Sequence, residues 1–164
     1  GASLCGGKAY ALLEKFFREF VKEATGQEKP LYKTLEKLAG DGKASCTGRE
    51  NRKKLQIETT FDGTRVHPEQ TGSITNLSTD NFTPAAFVYG TLEGMSRELY
   101  QMYQTIQNGT GMQIKRMIGS GNGLRKNPVL CGIVEEMFGA KLALAECEEE
   151  AATGAALSSM QQDE

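Results

Sequence analysis

At 164 residues, with a net charge of -2, the chain has the size of one soluble domain, able to bury roughly 70% of its unfolded surface. Charged residues make up 24% of it without a basic excess, which excludes a general nucleic-acid grip, since that needs a strongly basic face. The four cysteines, Cys5, Cys46, Cys131 and Cys147, form no C-x-x-C pair, so neither a zinc site nor a disulfide framework is indicated and reduced thiols in the cytosol are expected.

The first predicted helix covers Tyr10 to Thr25. Leu12, Leu13, Phe16, Phe17, Phe20 and Val21 recur at helical spacing and form its expected core face, with Glu14, Lys15, Arg18, Glu19, Lys22 and Glu23 on the other side. Gly26 and Pro30 are stop signals. A shorter helix, Leu31 to Ala39, is expected to end at Gly40. The polar stretch from Asp41 to Lys54 carries a basic cluster of Arg49, Arg52, Lys53 and Lys54. One reading is a phosphate-facing patch; the other, the expectation here, is a solvated loop that runs into an edge strand. Leu55, Ile57, Thr59 and Phe61 alternate with polar residues, the period of a half-buried strand, and Asp62-Gly63 turns it. The lone histidine, His67, reads as a surface loop residue. Gly72 to Leu77 is a second short strand, with Leu55 to Phe61 as its partner.

The longest predicted helix opens with Thr83 as N-cap and Pro84 at its first position. Phe87, Leu92, Met95, Leu99, Met102, Tyr103 and Ile106 keep helical spacing up to a C-cap at Asn108-Gly109. The Met and Tyr stripe reads as packing. A strand over Ile114 to Ile118, a helix over Pro128 to Phe138, a strand over Lys141 to Ala145 and a helix over Glu149 to Met160 follow. That order implies a right-handed crossover and a parallel strand pair. The start of the chain has no signal-peptide layout, and no apolar run approaches the ~20 residues needed to span a bilayer. Asn-x-Ser/Thr sequons at Asn76, Asn81 and Asn108 are the one hint of a secreted glycoprotein.

The stretch that organises the chain is Lys115 to Gly139, an apolar strand feeding a turn with Gly119, Gly121 and Gly123 and then a helix from Asn127-Pro128. Glycines there permit positive φ and let a flat or anionic ligand approach without a Cβ in the way. The following helix offers its positive end. The turn is neither a P-loop, for want of a G-K-[ST] ending, nor a G-x-G-x-x-G dinucleotide site. From the residues alone a nucleotide-binding turn and a ligand-free strand-to-helix turn both stand. Asn127 serves either as N-cap or as an amide offered to the edge of a base.

GSGNGLRKNPVL, then VEEMFG and EEEAATGAAL, resembles the adenosine-binding glycine turn, helix and closing small-residue helix of the FGGY carbohydrate kinases. Upstream, GGKAYALLEKFF, FDGTRVHPEQTGSI and NFTPAAFVYGTLEGMSREL follow in the order of the same C-terminal domain and look closest to the sedoheptulokinase-like branch. The resemblance spans Leu4 to Leu157. It implies an α/β domain of the RNase H-like, actin-like ATPase type, a mixed sheet flanked by helices, one of two domains that close on ATP and a sugar. Gly119, Ser120 and Gly121 carry over as the adenosine turn. Asn122 and Gly123 fall where this chain is longer than many relatives, and Asn127 falls at the position that meets the adenine. Gly63, Thr64 and Arg65 resemble a loop beside the interdomain cleft.

The family's sugar site and its catalytic aspartate belong to an N-terminal domain, so no catalytic residue and no metal ligand is expected in this chain. The strands that open the C-terminal domain are also missing from its start. The expectation is a single domain over residues 1–164, the truncated nucleotide-binding half of a cytoplasmic sugar kinase. Its Mg would travel with ATP, and its main partner would be the N-terminal domain of the same protein. The alternative is a non-catalytic regulatory or association module of the same fold.

Overall fold

The computed structural model describes residues 6–46, 54–146 and 158. Residues 1–112 and 113–164 form two compact units.

In the first unit, helix α1 (Gly6–Thr25) is followed by α2 (Tyr32–Cys46), strand β1 (Gln56–Glu58), strand β2 (Ser73–Thr75) and the long helix α3 (Pro84–Thr110). Its core lies between α2 and α3, with Leu35, Ala39 and Cys46 of α2 and Val88 and Leu92 of α3 nearly or fully buried. The predicted stop of α2 at Gly40 is not observed. The helix continues through Gly42, where an added Cβ would stand 2.4 Å from Tyr89 Cβ and 2.5 Å from the Ala85 carbonyl oxygen. The missing side chain lets the two helices close up, and that contact outweighs the helix penalty of about 1 kcal/mol per glycine.

The expected core face of α1 is corrected by the structure. Phe16 and Phe20 are 66% and 70% exposed, whereas Glu14, assigned to the polar side, is only 4% exposed. The carboxylate is turned inward because it has two donors there. Glu14 Oε1 accepts from the Leu31 amide at 3.0 Å, and its Oε2 accepts from Arg18 Nε at 3.3 Å. Arg18 and Lys22 both reach Glu28. Glu14 raises the Arg18 pKa, and Lys22, then Arg18, lower that of Glu28. This cluster ties the end of α1 to the start of α2.

Helix α3 starts as expected: Thr83 Oγ1 accepts from the Ala86 amide at 3.2 Å and Pro84 takes the first position. Its end lies beyond Asn108-Gly109, because the left-handed residue is Gly111, at φ 69°, whose amide donates to the Gln107 carbonyl at 2.7 Å. Strand β1 pairs antiparallel with β2, Ile57 opposite Ile74, as predicted, although the ladder is only three residues long on each side. Gly90 and Gly94 of α3 receive β1: an added Cβ on Gly94 would sit 2.1 Å from the Ile57 carbonyl oxygen.

The second unit holds strand β3 (Met117–Gly119), the one-turn helix α4 (Asn122–Arg125), helix α5 (Pro128–Phe138) and strand β4 (Leu142–Leu144). β3 and β4 are parallel, as the element order implied, with Met117 opposite Leu142 and Gly119 opposite Leu144. The predicted last helix, 149–160, lies outside the described residues except for Ser158. No helix among the described residues is long and apolar enough to cross a membrane.

Candidate nucleotide-binding turn

The turn grows from the end of a strand that is firmly held. The Gly119 carbonyl accepts from the Ala145 amide at 2.8 Å, which extends the pairing with β4 past the last ladder residue. Gly119 is buried, and its role is packing rather than a positive φ: an added Cβ would fall 2.8 Å from Leu124 Cδ1 and 3.0 Å from Leu142 Cδ1. The turn glycines do not all use the positive φ that is open to them. Gly121 alone of the three does, at φ 90° and ψ 155°, a region that is essentially closed to residues with a side chain. Gly123 has an ordinary backbone with no neighbour within 4 Å of an added Cβ, and the same space is open at Gly121. Ser120, Asn122 and Gly123 are exposed, so residues 120–123 present an open, nearly side-chain-poor surface.

Helix α4 was not anticipated. It takes in Gly123 and lies between Gly121 and α5, so the positive end of the longer helix does not follow the first part of the turn directly. Its carbonyls are tied down from α5: the Asn127 amide and the Cys131 thiol both donate to the Leu124 carbonyl, at 3.2 Å each. Asn127, 6% exposed, is the N-cap of α5, its Oδ1 accepting from the Leu130 amide at 3.0 Å. The cap occupies the side-chain oxygen, and the amide nitrogen takes no part in it.

A residue that sequence reasoning passed over holds the other end. Glu135 Oε1 accepts from the Leu142 amide at 2.9 Å and its Oε2 lies 3.3 Å from Lys141 Nζ. The Leu142 amide, followed by Lys141, holds the Glu135 carboxyl below its ordinary value of 4.5. A carboxylate whose folded pKa is lowered stabilises the fold above its unfolded pKa, and that contribution is lost as pH falls through the folded value. The melting temperature of wild type is thus expected to exceed that of Glu135→Gln near neutral pH, with the gap closing in acid below 4.5. A gap unchanged by acid would show that charge is not what holds β4. The Cys131 thiol, pushed up by burial and then by Glu135, stays protonated.

Gly63, Thr64 and Arg65 lie in the first unit and form a tight loop. Gly63 has φ 72°, and an added Cβ there would meet the Pro68 carbonyl oxygen at 2.5 Å. The Thr64 amide donates to the His67 carbonyl, and the His67 amide returns to Thr64 Oγ1, both at 2.9 Å. Thr64 is thus engaged within the loop, while Arg65 is exposed. His67 is exposed beside Glu69, its Nδ1 3.3 Å from the carboxylate. Of the basic cluster, Arg49, Arg52 and Lys53 lie outside the described residues. Lys54 is paired with Glu93 and stands 5.2 Å over the Tyr89 ring, a structural use. Nearby, burial pushes the Cys46 thiol up to about 11.

Two of the three sequons are built into the fold. Asn81 is 1% exposed, its Nδ2 donating to the Asn76 carbonyl at 3.0 Å and its Oδ1 accepting from the Ser78 amide at 2.8 Å. Asn76, at φ 60°, donates its side-chain amide to the Lys54 carbonyl at 3.0 Å.

The family model for the FGGY family of carbohydrate kinases, C-terminal domain, matches residues 2–161. The chain belongs to this family. Among solved structures, xylulose kinase from Rhodospirillum rubrum is similar at a TM-score of 0.66 and 22% identity over 84% of this chain and 25% of that one. Xylulose kinase from Bifidobacterium adolescentis aligns at a TM-score of 0.60 and 21% identity, over 79% and 24% of the two chains. Plasmodium falciparum glycerol kinase with ADP aligns at a TM-score of 0.61 and 16% identity, over 84% and 26%. No similar protein is found among curated sequences. The FGGY domain described here has the RNase H-like, actin-like ATPase fold expected from the sequence, and it spans about a quarter of the length of these kinases.

Proposed function

We propose that this chain belongs to the nucleotide-binding half of an ATP-dependent sugar kinase of the sedoheptulokinase-like branch, acting in the cytoplasm. The observation that carries the reading is the turn at 120–123: Gly121 has a backbone that only glycine takes readily, and open space lies over Gly121 and Gly123. The family match over 2–161 supports it, as does the likeness to a glycerol kinase solved with ADP. In this reading Gly119, Ser120, Gly121, Asn122 and Gly123 form the floor on which adenosine lies, and Asn127 offers its amide nitrogen to the base. Gly63, Thr64 and Arg65 edge the cleft. Mg arrives with ATP, and the base that takes the sugar hydroxyl proton comes from a preceding domain.

Phosphoryl transfer is catalysed mostly by positioning and charge stabilisation. A chain with one wall of the cleft therefore binds ATP weakly and does not turn it over. Titrating MgATP into the 164-residue chain while following backbone amide resonances is expected to shift residues 119–127, with a Kd of about 1 mM or weaker, near -4 kcal/mol. Absence of shifts at 119–127 up to about ten times that concentration would remove the adenosine assignment. Sugar phosphorylation by this chain alone would remove the assignment of the base to another domain.

A further inference from the structure

The chain holds two Asn-Gly pairs, Asn108-Gly109 and Asn122-Gly123, and both pairs are exposed. Asparagine is thermolabile, above all before glycine, where no Cβ keeps the following amide nitrogen from reaching the side-chain carbonyl carbon. The fold treats the two pairs differently. Gly109 lies inside α3, where its amide donates to a carbonyl one turn back. That last turn is closed further by Thr110 Oγ1 on the Ile106 carbonyl and by the Gly111 amide on the Gln107 carbonyl, both at 2.7 Å. Gly123 is the second residue of α4, which has no side-chain cap. Its amide is one of the unsatisfied donors of a helix start, with no acceptor among the described residues, and none of them holds the Asn122 side chain. The Arg125 and Lys126 amides close α4 on the Gly121 and Asn122 carbonyls at 3.2 and 3.1 Å, and a helix so short is marginal by itself.

We propose that Asn122-Gly123 is a self-modifying pair, a site at which the turn deamidates without an enzyme. The Gly123 nitrogen, on losing its proton, attacks Asn122 Cγ. The new N–Cγ bond closes a cyclic imide, and the side-chain nitrogen leaves with a proton as ammonia. Water then splits either imide C–N bond, which leaves an aspartyl or an isoaspartyl residue at position 122. No oxidant or reductant takes part. The product sets a negative charge on a surface, 120–123, that carries none of its own. The modification needs no ligand; its consequence for the nucleotide rests on reading 119–123 as the adenosine floor. A carboxylate there repels the phosphates of ATP, and the isoaspartyl form also lengthens the main chain of the turn.

The test is to age the 164-residue chain at neutral pH and follow both pairs by peptide mapping, reading the mass gain of exchanging NH2 for OH and the labelling of isoaspartyl groups by their methyltransferase. Conversion at 122 is expected to outrun that at 108 by about tenfold or more. In urea the two rates are expected to converge, because the fold sets the difference. Gly123→Ala, whose Cβ meets open space, is expected to slow conversion at 122 by about tenfold. Equal rates at 122 and 108 in the folded chain, a difference that persists in urea, or a rate unchanged in Gly123→Ala would each overturn the proposal. A parallel incubation with MgATP separates the two readings, since a bound nucleotide is expected to slow conversion at 122. Conversion there that MgATP does not slow leaves the modification site in place and counts against the adenosine floor alone.

Discussion

Replacing Gly94 by alanine is expected to destabilise the first unit by about 3 kcal/mol or more, lowering Tm by roughly 6–12 °C. The new Cβ would lie 2.1 Å from the Ile57 carbonyl oxygen and 3.1 Å from Thr59 Cγ2. Backbone cannot swing aside as the end of a side chain can, so β1 must leave α3 or α3 must shift. Gly109 in the same helix is the control. Nothing lies within 4 Å of a Cβ added there, and Gly109→Ala is expected to stabilise by about 0.5–1 kcal/mol through the unfolded chain. Urea unfolding of both variants checks the pair, and equal effects at the two positions would show that α3 and β1 do not meet as described.

The second large effect concerns the turn. Gly123→Val in the parent kinase is expected to weaken ATP binding at least tenfold, about 1.4 kcal/mol, with stability held within about 0.5 kcal/mol. Position 123 has an ordinary backbone and open space, so the branched side chain costs the fold little while standing where a ligand would lie. Gly121→Val is the less clean probe, because φ 90° and ψ 155° add a backbone cost of about 1–3 kcal/mol to any lost contact. Calorimetric titration with ATP reads the first variant directly. An affinity equal to wild type at Gly123→Val would count against the platform.

The local signals that were legible in the sequence are those with a short-range cause. Thr83-Pro84 and Asn127-Pro128 opened their helices as their cap chemistry requires, and the parallel pair β3 and β4 followed from element order. Signals whose meaning depends on a distant partner were misread. Gly40 and Gly42 look like a helix stop until α3 is there to press against Gly42. Glu14 looks like a solvent residue until the Leu31 amide, seventeen positions on, claims it. At the turn, three glycines looked equivalent, yet one is buried against leucines, one has a backbone that glycine alone takes readily, and one is open. Glu135 carried no sequence signal at all, because its partner is a backbone amide across the α5–β4 connection.

The buried side chain of Asn81 sets two fates of one nitrogen against each other. The atom that would carry a glycan is the donor that closes the 76–81 loop onto the Asn76 carbonyl. Glycosylation acts on chains as they emerge, before such a loop exists, so in a secretory compartment folding and modification would compete for that atom. A compartment that lacks the modifying enzyme removes the competition, and there the Asn-Phe-Thr tripeptide is simply part of the approach to α3.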